Sequence, residues 1–161
     1  MITAERLREI LSYDPETGEF TWITVTSNTI KIGDIAGSLR KDGYFRIGID
    51  KKLYFAHRLA WLYVYGNSPL GYIDHIDGDR SNNRINNLRD ADRFTNNQNI
   101  KCAQANNKST GFLGVTRHGS KFKAQITINR NHIHLGLFDN PHDAHEAYLS
   151  AKRLNHKGCT I

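Results

Sequence analysis

Polar and apolar residues alternate without interruption through Lys121-Phe122-Lys123-Ala124-Gln125-Ile126-Thr127-Ile128, the period of a strand with one buried face. Phe122, Ala124, Ile126 and Ile128 share the inner side, and Lys121, Lys123, Gln125 and Thr127 the outer. The next segment repeats the pattern, with Ile133, Leu135 and Leu137 expected inward and His132 and His134 outward. Phe138 breaks the alternation as that strand ends. Asn140 then caps a helix, with Pro141 in its first position and Asp143 in its first turn. Ala144, Ala147, Tyr148, Ala151 and Leu154 form its apolar stripe. The expected unit over residues 111–161 is a three-stranded antiparallel sheet, one face on a helix and the other polar, basic and open.

Upstream the pattern is shorter-ranged. Thr3 can cap a helix whose Leu7, Ile10 and Leu11 share one face. Asp14-Pro15-Glu16-Thr17-Gly18 is turn chemistry, and Glu19-Phe20-Thr21-Trp22-Ile23 alternates like a strand. Residues 43–49 and 53–55 flank Asp50-Lys51-Lys52 as a hairpin. This first segment, 1–55, reads as a small α+β extension with no chemistry of its own. The second, 56–105, opens with a helix from His57 that ends before Gly66, with Pro69 beyond as a stop. A short strand from Gly71 enters a polar loop at Asp77-Gly78-Asp79. Residues 81–88 are rich in asparagine and too polar to predict a buried element. A helix capped by Asp92 carries Asn96, Asn97 and Asn99 in its early turns. Residues 106–110 read as a linker. The expected class is α+β.

Charge changes the picture. Of 22 Lys+Arg and 16 Asp+Glu in 161 residues, the first 100 positions hold 13 of each, and the remaining 61 hold nine basic against three acidic. The whole surplus of +6 therefore sits in the last 61 residues. A neutral part followed by a basic one suggests a working module joined to a module that binds a polyanion. The longest apolar run, Leu59–Tyr65, falls far short of the ~18–20 residues of a membrane span, and no basic start with an apolar stretch marks a secretory signal. Cys102 and Cys159 make neither a disulfide framework nor a zinc pair and are expected to be buried, inert thiols. An intracellular protein without a membrane partner is the expectation.

Candidate chemistry gathers around His75. Asp74 and His75 adjoin on a strand, and Asn96 follows 21 residues later near a helix start. A strand–loop–strand–helix unit would bring an imidazole, a carboxylate and an amide oxygen to one point. Those are the groups that phosphodiester hydrolysis requires. A neutral histidine takes a proton from water, and Asp and Asn oxygens suit Mg²⁺, which neutralises charge on the phosphate and leaving oxygen. Neighbours on an ideal strand face opposite ways, so either the strand ends there or the ion lies beside it while His75 faces the phosphate. Among the neighbours, Asn82, Asn83 and Asn86 read as turn formers, and Asp77 and Asp79 as loop-forming carboxylates. Arg84 and Arg89 suit phosphates or those acids equally well. His57 and Arg58 suit DNA or the helix core.

Residues 74–89, Asp74-His75-Ile76-Asp77-Gly78-Asp79-Arg80-Ser81-Asn82-Asn83-Arg84-Ile85-Asn86-Asn87-Leu88-Arg89, resemble the HNH endonuclease motif of phage and intron-encoded homing endonucleases. The stretch Tyr54-Phe55-Ala56-His57-Arg58-Leu59-Ala60-Trp61 and the turn at 14–18 are also similar to that family. The resemblance implies a ββα-metal (His-Me finger) core that cuts DNA with one divalent ion, Mg²⁺ or else Mn²⁺. It places the general base on His75, the metal ligands on Asp74 and Asn96, and a loop-bracing asparagine on Asn87. Many relatives carry His where Asn96 stands; Asn99, one helical turn on, is the alternative ligand.

Gly114-Val115-Thr116-Arg117, Lys121–Ile126, His134-Leu135-Gly136-Leu137-Phe138 and the helix that follows resemble the plant ethylene-response-factor DNA-binding domain. That resemblance implies a sheet laid in the major groove. Its base-reading face falls on Thr116, His118, Lys123, Gln125, Thr127, His132 and His134, and its backbone contacts on Arg117, Lys121 and Arg130. Several positions that are Arg or Trp in the plant pattern are Thr or His here. The expected protein is a metal-dependent endonuclease of double-stranded DNA, monomeric or homodimeric, with no obligate protein partner. If phage-encoded, it works in the cytoplasm of a bacterial host. The alternative is a DNA-binding regulator that uses the same sheet and whose nuclease fold is silent.

Overall fold

A computed structural model describes residues 2–25, 27–100, 103, 107, 109–156 and 159, with Arg93 and Phe94 described in backbone only. The expected Cys102 thiol lies outside the described residues. The chain divides into two compact units, 1–93 and 94–161.

In the first unit, helix α1 (Ala4–Ile10) starts at Thr3, whose hydroxyl accepts from the Arg6 amide. Its buried Leu7 and Ile10 lead directly into β1 (Leu11–Tyr13), which pairs antiparallel with β2 (Phe20–Trp22). A three-stranded sheet follows, in the order β3 (Ser38–Leu39), β4 (Phe45–Ile49), β5 (Lys52–Phe55). The β4–β5 turn holds Asp50 and Lys51 at φ 49° and 62°, the left-handed pair of a tight hairpin. Helix α2 (Ala56–Tyr65) ends at Gly66 in the left-handed region, a C-terminal device that glycine adopts without steric cost. Then β6 (Tyr72–His75) pairs with β7 (Leu88–Ala91), matching Asp74 to Arg89 and His75 to Leu88.

One core unites these elements. Leu7, Ile10, Leu11, Phe20, Ile47 and Leu59 are fully buried, and Ile73 and Leu88 belong to the same cluster. Residues 1–55 thus have no separate interior; their apolar faces close over α2 and the β6–β7 hairpin. The turn at 14–18 is part of this closure. Gly18, at φ 78°, lies so near the following loop that a Cβ would come within 2.5 Å of the Arg84 amide nitrogen. The Tyr13 hydroxyl donates to the Asn83 carbonyl at 2.7 Å, and Arg84 Nε donates to the Glu16 carbonyl.

The second unit begins within α3 (Arg93–Gln98) and contains β8 (Val115–His118), β9 (Lys121–Ile128), β10 (Asn131–Phe138) and α4 (Pro141–Asn155). The sheet order is β10-β9-β8, fully antiparallel, and its inner face packs on α4 through Val115, Ala124 and Ala144. Asn140 caps α4 by accepting from the Asp143 amide, with Pro141 in the first turn.

Two sequence expectations shift here. Leu154 is 85% exposed, whereas Lys152 is buried, its Nζ donating to the Ile100 carbonyl. The α4 stripe is therefore Ala144, Tyr148, Lys152, and the lysine's aliphatic stem serves as an apolar residue. In β10 the register jumps between His134 and Gly136, so Leu137 pairs with Lys123, and Phe138 pairs with Phe122 and joins the core. A β-bulge adds one residue and exchanges the faces beyond it, which puts Leu137 outside. Gly136 makes the bulge possible at φ 141°, where a Cβ would stand 3.1 Å from the Phe138 ring.

Candidate functional site

β6 ends at His75, whose side chain is 4% exposed. Its Nε2 lies 3.4 Å from Oδ1 of Asn83, itself buried. A carbonyl oxygen only accepts, so this contact favours the tautomer with its hydrogen on Nε2. Asn83 was expected only to form a turn; its Nδ2 does hold the Ser81 carbonyl, but its Oδ1 orients the imidazole. No local signal separated it from the other loop asparagines.

Asn87 closes the intervening loop. Its Oδ1 accepts from the Asp77 amide at 3.0 Å, while its Nδ2 donates to Asp77 Oδ1 at 3.0 Å and to the Asn82 carbonyl at 2.9 Å. Asp77 also accepts from the Asp79 amide and from Asn82, and Asp79 accepts from Ser81. Burial raises Asp77, but the bonds from Asn82, the Asp79 amide and Asn87 outweigh it and hold the carboxyl below its usual range. Both aspartates are accounted for by loop geometry.

Asp74, 6% exposed, faces the opposite side of the hairpin from His75. Arg89 lies directly across from it, and its Nε and Nη2 both donate to Asp74 Oδ2, at 2.9 and 2.6 Å. A buried carboxylate needs such a partner, and the cross-strand register 74–89 was the signal that could have found it. The fork fixes the Asp74 carboxylate against Arg89. As a hard oxygen donor at a strand end, the carboxylate fits a Mg²⁺-type ion. Asn96, a second hard oxygen donor, lies partly buried on α3 in the second unit, and Asn99 just beyond α3 is buried. Among the described residues no group of three or more His, Cys, Asp or Glu could hold a metal ion.

An aromatic wall surrounds His75. The His57 ring stands edge-on to it at 5.1 Å, and Tyr44 lies 6.0 Å away. His57 stacks on Phe55 at 5.4 Å and meets Tyr44 at 5.3 Å. Arg80 lies over Tyr44 and Arg46 over Phe55. Residues from the first 55 positions thus reach the site, which their composition did not announce. His57 is in the helix core and Arg58 is exposed. Burial pushes His75 down, opposed in part by the Asn83 bond and by the charges of Asp77, Asp74 and Asp79.

Burial, the nearby His75 and Arg58 lower His57 from 6.5 to about 3, and its Nδ1 is buried without a hydrogen-bond partner. The unfolded chain takes up this proton near pH 6.5, whereas the folded chain resists until about 3. Stability contributed by a neutral His57 is thus complete above that window and is lost as pH falls through it, by up to about 1.4 kcal/mol per pH unit. We expect urea midpoints, followed by the fluorescence of Trp22 and Trp61, to fall steeply from pH 7 to 4. His57→Phe should flatten that fall, leaving the part due to His75. An equally steep fall in His57→Phe would refute this origin.

On the second unit's outer sheet face, rows cross the strands. Thr127 pairs with His132, Gln125 with His134, Thr116 with Lys123 and Leu137, and His118 with Lys121. Thr127 Oγ1 and His132 Nδ1 are 2.9 Å apart. Arg130 occupies the β9–β10 turn at φ 68°. Arg117 pairs with Phe122 and so lies on the α4 side at the sheet edge, its Nε donating to the Gly119 carbonyl. Lys121 pairs with Asp139 at 3.2 Å on the exposed surface. An open groove of about 770 Å³ in this unit is lined by residues of both sides of the sheet, Thr116, Gln125 and His132 together with Val115, Ile126 and Tyr148.

Residues 54–98, from the end of β5 through α3, match the family described as HNH endonuclease. The chain therefore carries an HNH endonuclease domain, a class that implies nuclease activity on DNA and typically uses a divalent metal. No curated protein and no solved structure matches the chain. Among the described residues, no helix is long and apolar enough to cross a membrane.

Proposed function

We propose that this protein is a metal-dependent endonuclease of double-stranded DNA, of the homing type, in which the 111–161 unit positions the duplex and the HNH segment cuts it. The observation that carries this reading is the setting of His75. It is a buried imidazole at a strand end, its basicity lowered by burial, with Nε2 tied to Asn83 and with Asp74 preceding it in the matched sequence.

His75 Nδ1 takes a proton from the attacking water, the role a neutral imidazole fills near neutral pH. An Nε2 hydrogen held by Asn83 makes Nδ1 the basic nitrogen. Asn87 holds the loop that carries Asn83 and thereby keeps the base aimed. Asp74 and Asn96 are the residues that would hold the divalent ion, which when bound supplies charge neutralisation at the phosphate and the departing oxygen. Arg89 holds the Asp74 carboxylate in place through its two hydrogen bonds. The basic surplus of the last 61 residues and the open polar sheet, similar to ethylene-response-factor domains, support duplex binding through that face.

Supercoiled plasmid incubated with Mg²⁺, Mn²⁺ or EDTA tests the reading. Nicked or linear product with either ion and none with EDTA is the expected result. A gel shift indifferent to metal, without cleavage under any condition, would replace the enzyme by a DNA-binding regulator.

A further inference from the structure

We propose that Leu137 is the apolar base-reading contact of the sheet and takes the 5-methyl group of a pyrimidine in the major groove; this rests on the sheet face being the duplex-binding surface. The polar residues of that face include Thr116, Lys123, Gln125 and His134, and Leu137 is the apolar residue among them. It is 46% exposed.

Strand alternation alone would have buried it. The register shift between His134 and Gly136 turns it outward, and it depends on a glycine at φ 141°. Bulges commonly re-aim a side chain at working surfaces. Here the re-aimed residue completes a row across all three strands, Thr116–Lys123–Leu137. A hydroxyl, an ammonium and a branched methyl group side by side form a mixed reader. Thr and Lys address acceptors such as guanine O6 and N7, while an aliphatic carbon suits a C5-methyl. The two sources of that methyl in duplex DNA are thymine and 5-methylcytosine.

The experiment uses the full chain in EDTA, so that binding is read without cleavage. Random duplexes are selected for binding, and the recovered sequence is resynthesised with single thymines replaced by uracil or single cytosines by 5-methylcytosine. Wild type should lose about three- to fivefold at one uracil, or gain as much at one 5-methylcytosine, the scale of burying a single methyl. The first outcome names thymine as the source and the second the methylated base. Leu137→Ala should bind the parent duplex more weakly by a similar factor and ignore the methyl. Leu137→Met, which keeps an aliphatic contact, should retain the discrimination. Lys123→Ala should weaken all these duplexes alike. Equal binding of all modified duplexes by wild type, or full discrimination by Leu137→Ala, overturns the assignment. If wild type binds no duplex, or Lys123→Ala binds as wild type does, the sheet is not the binding surface and the assignment falls with it.

Discussion

His75→Ala should cut supercoiled plasmid at least about a hundredfold more slowly than the parent, the usual range for loss of a positioned general base, while its affinity for the same DNA in EDTA stays within about twofold. The side chain is buried and touches the aromatic wall of Tyr44 and His57, so its removal also leaves a small cavity. A modest fall in melting temperature is expected for that reason and does not explain the rate. His57, although only 5.1 Å away ring to ring, cannot substitute. With its pKa at about 3, its imidazole is too weak a base to take a proton from water near neutral pH. His75→Gln, which refills part of the cavity without supplying a base, should be as inactive as His75→Ala and melt closer to the parent. A His75→Ala protein that nicks at the parental rate would remove His75 from the chemistry.

Asn87→Ala has the second largest expected effect, and it acts through structure. The side chain is 8% exposed and makes three hydrogen bonds, two of them to Asp77 and one to the Asn82 carbonyl. Alanine leaves the Asp77 amide and the Asn82 carbonyl short of partners in a partly buried loop, at a cost of about 2–4 kcal/mol. The first unit should melt several degrees lower. Cleavage should fall by about tenfold or more, because Asn83 loses the scaffold that aims His75. Asn87→Asp keeps the acceptor for the Asp77 amide but sets a second carboxylate against Asp77, so it should not rescue. Loop amides at 77–83 should exchange with solvent faster in Asn87→Ala. Parental melting and cutting in that variant would show that the loop stands without its brace.

The parts of this protein legible in its residue order are those encoded by near neighbours. Unbroken alternation at 121–128 gave β9 its faces, Asn140 with Pro141 marked the start of α4, and Gly66 marked the end of α2. The Asp74-His75 pair singled out the site because an imidazole beside a carboxylate is a chemical signal that needs no fold to be noticed. Long-range partners were hidden. Nothing around Asn83 distinguishes it from Asn82 or Asn86 until the strand end delivers His75 to it, and Arg89 meets Asp74 only once the hairpin register is set. Phe55 stacks on His57 from two residues away, but Tyr44, just before β4, meets His57 only in the folded unit, a pairing that no short window contains.

The β10 bulge shows the division most sharply. Residue order determined that a second strand would pair with β9 and that its residues would alternate; packing of Phe138 into the α4-side core, allowed by a glycine, decided which of them face outward. A strand's period is local, set by backbone geometry, whereas its phase is a tertiary property, set by which side chains find room in the interior.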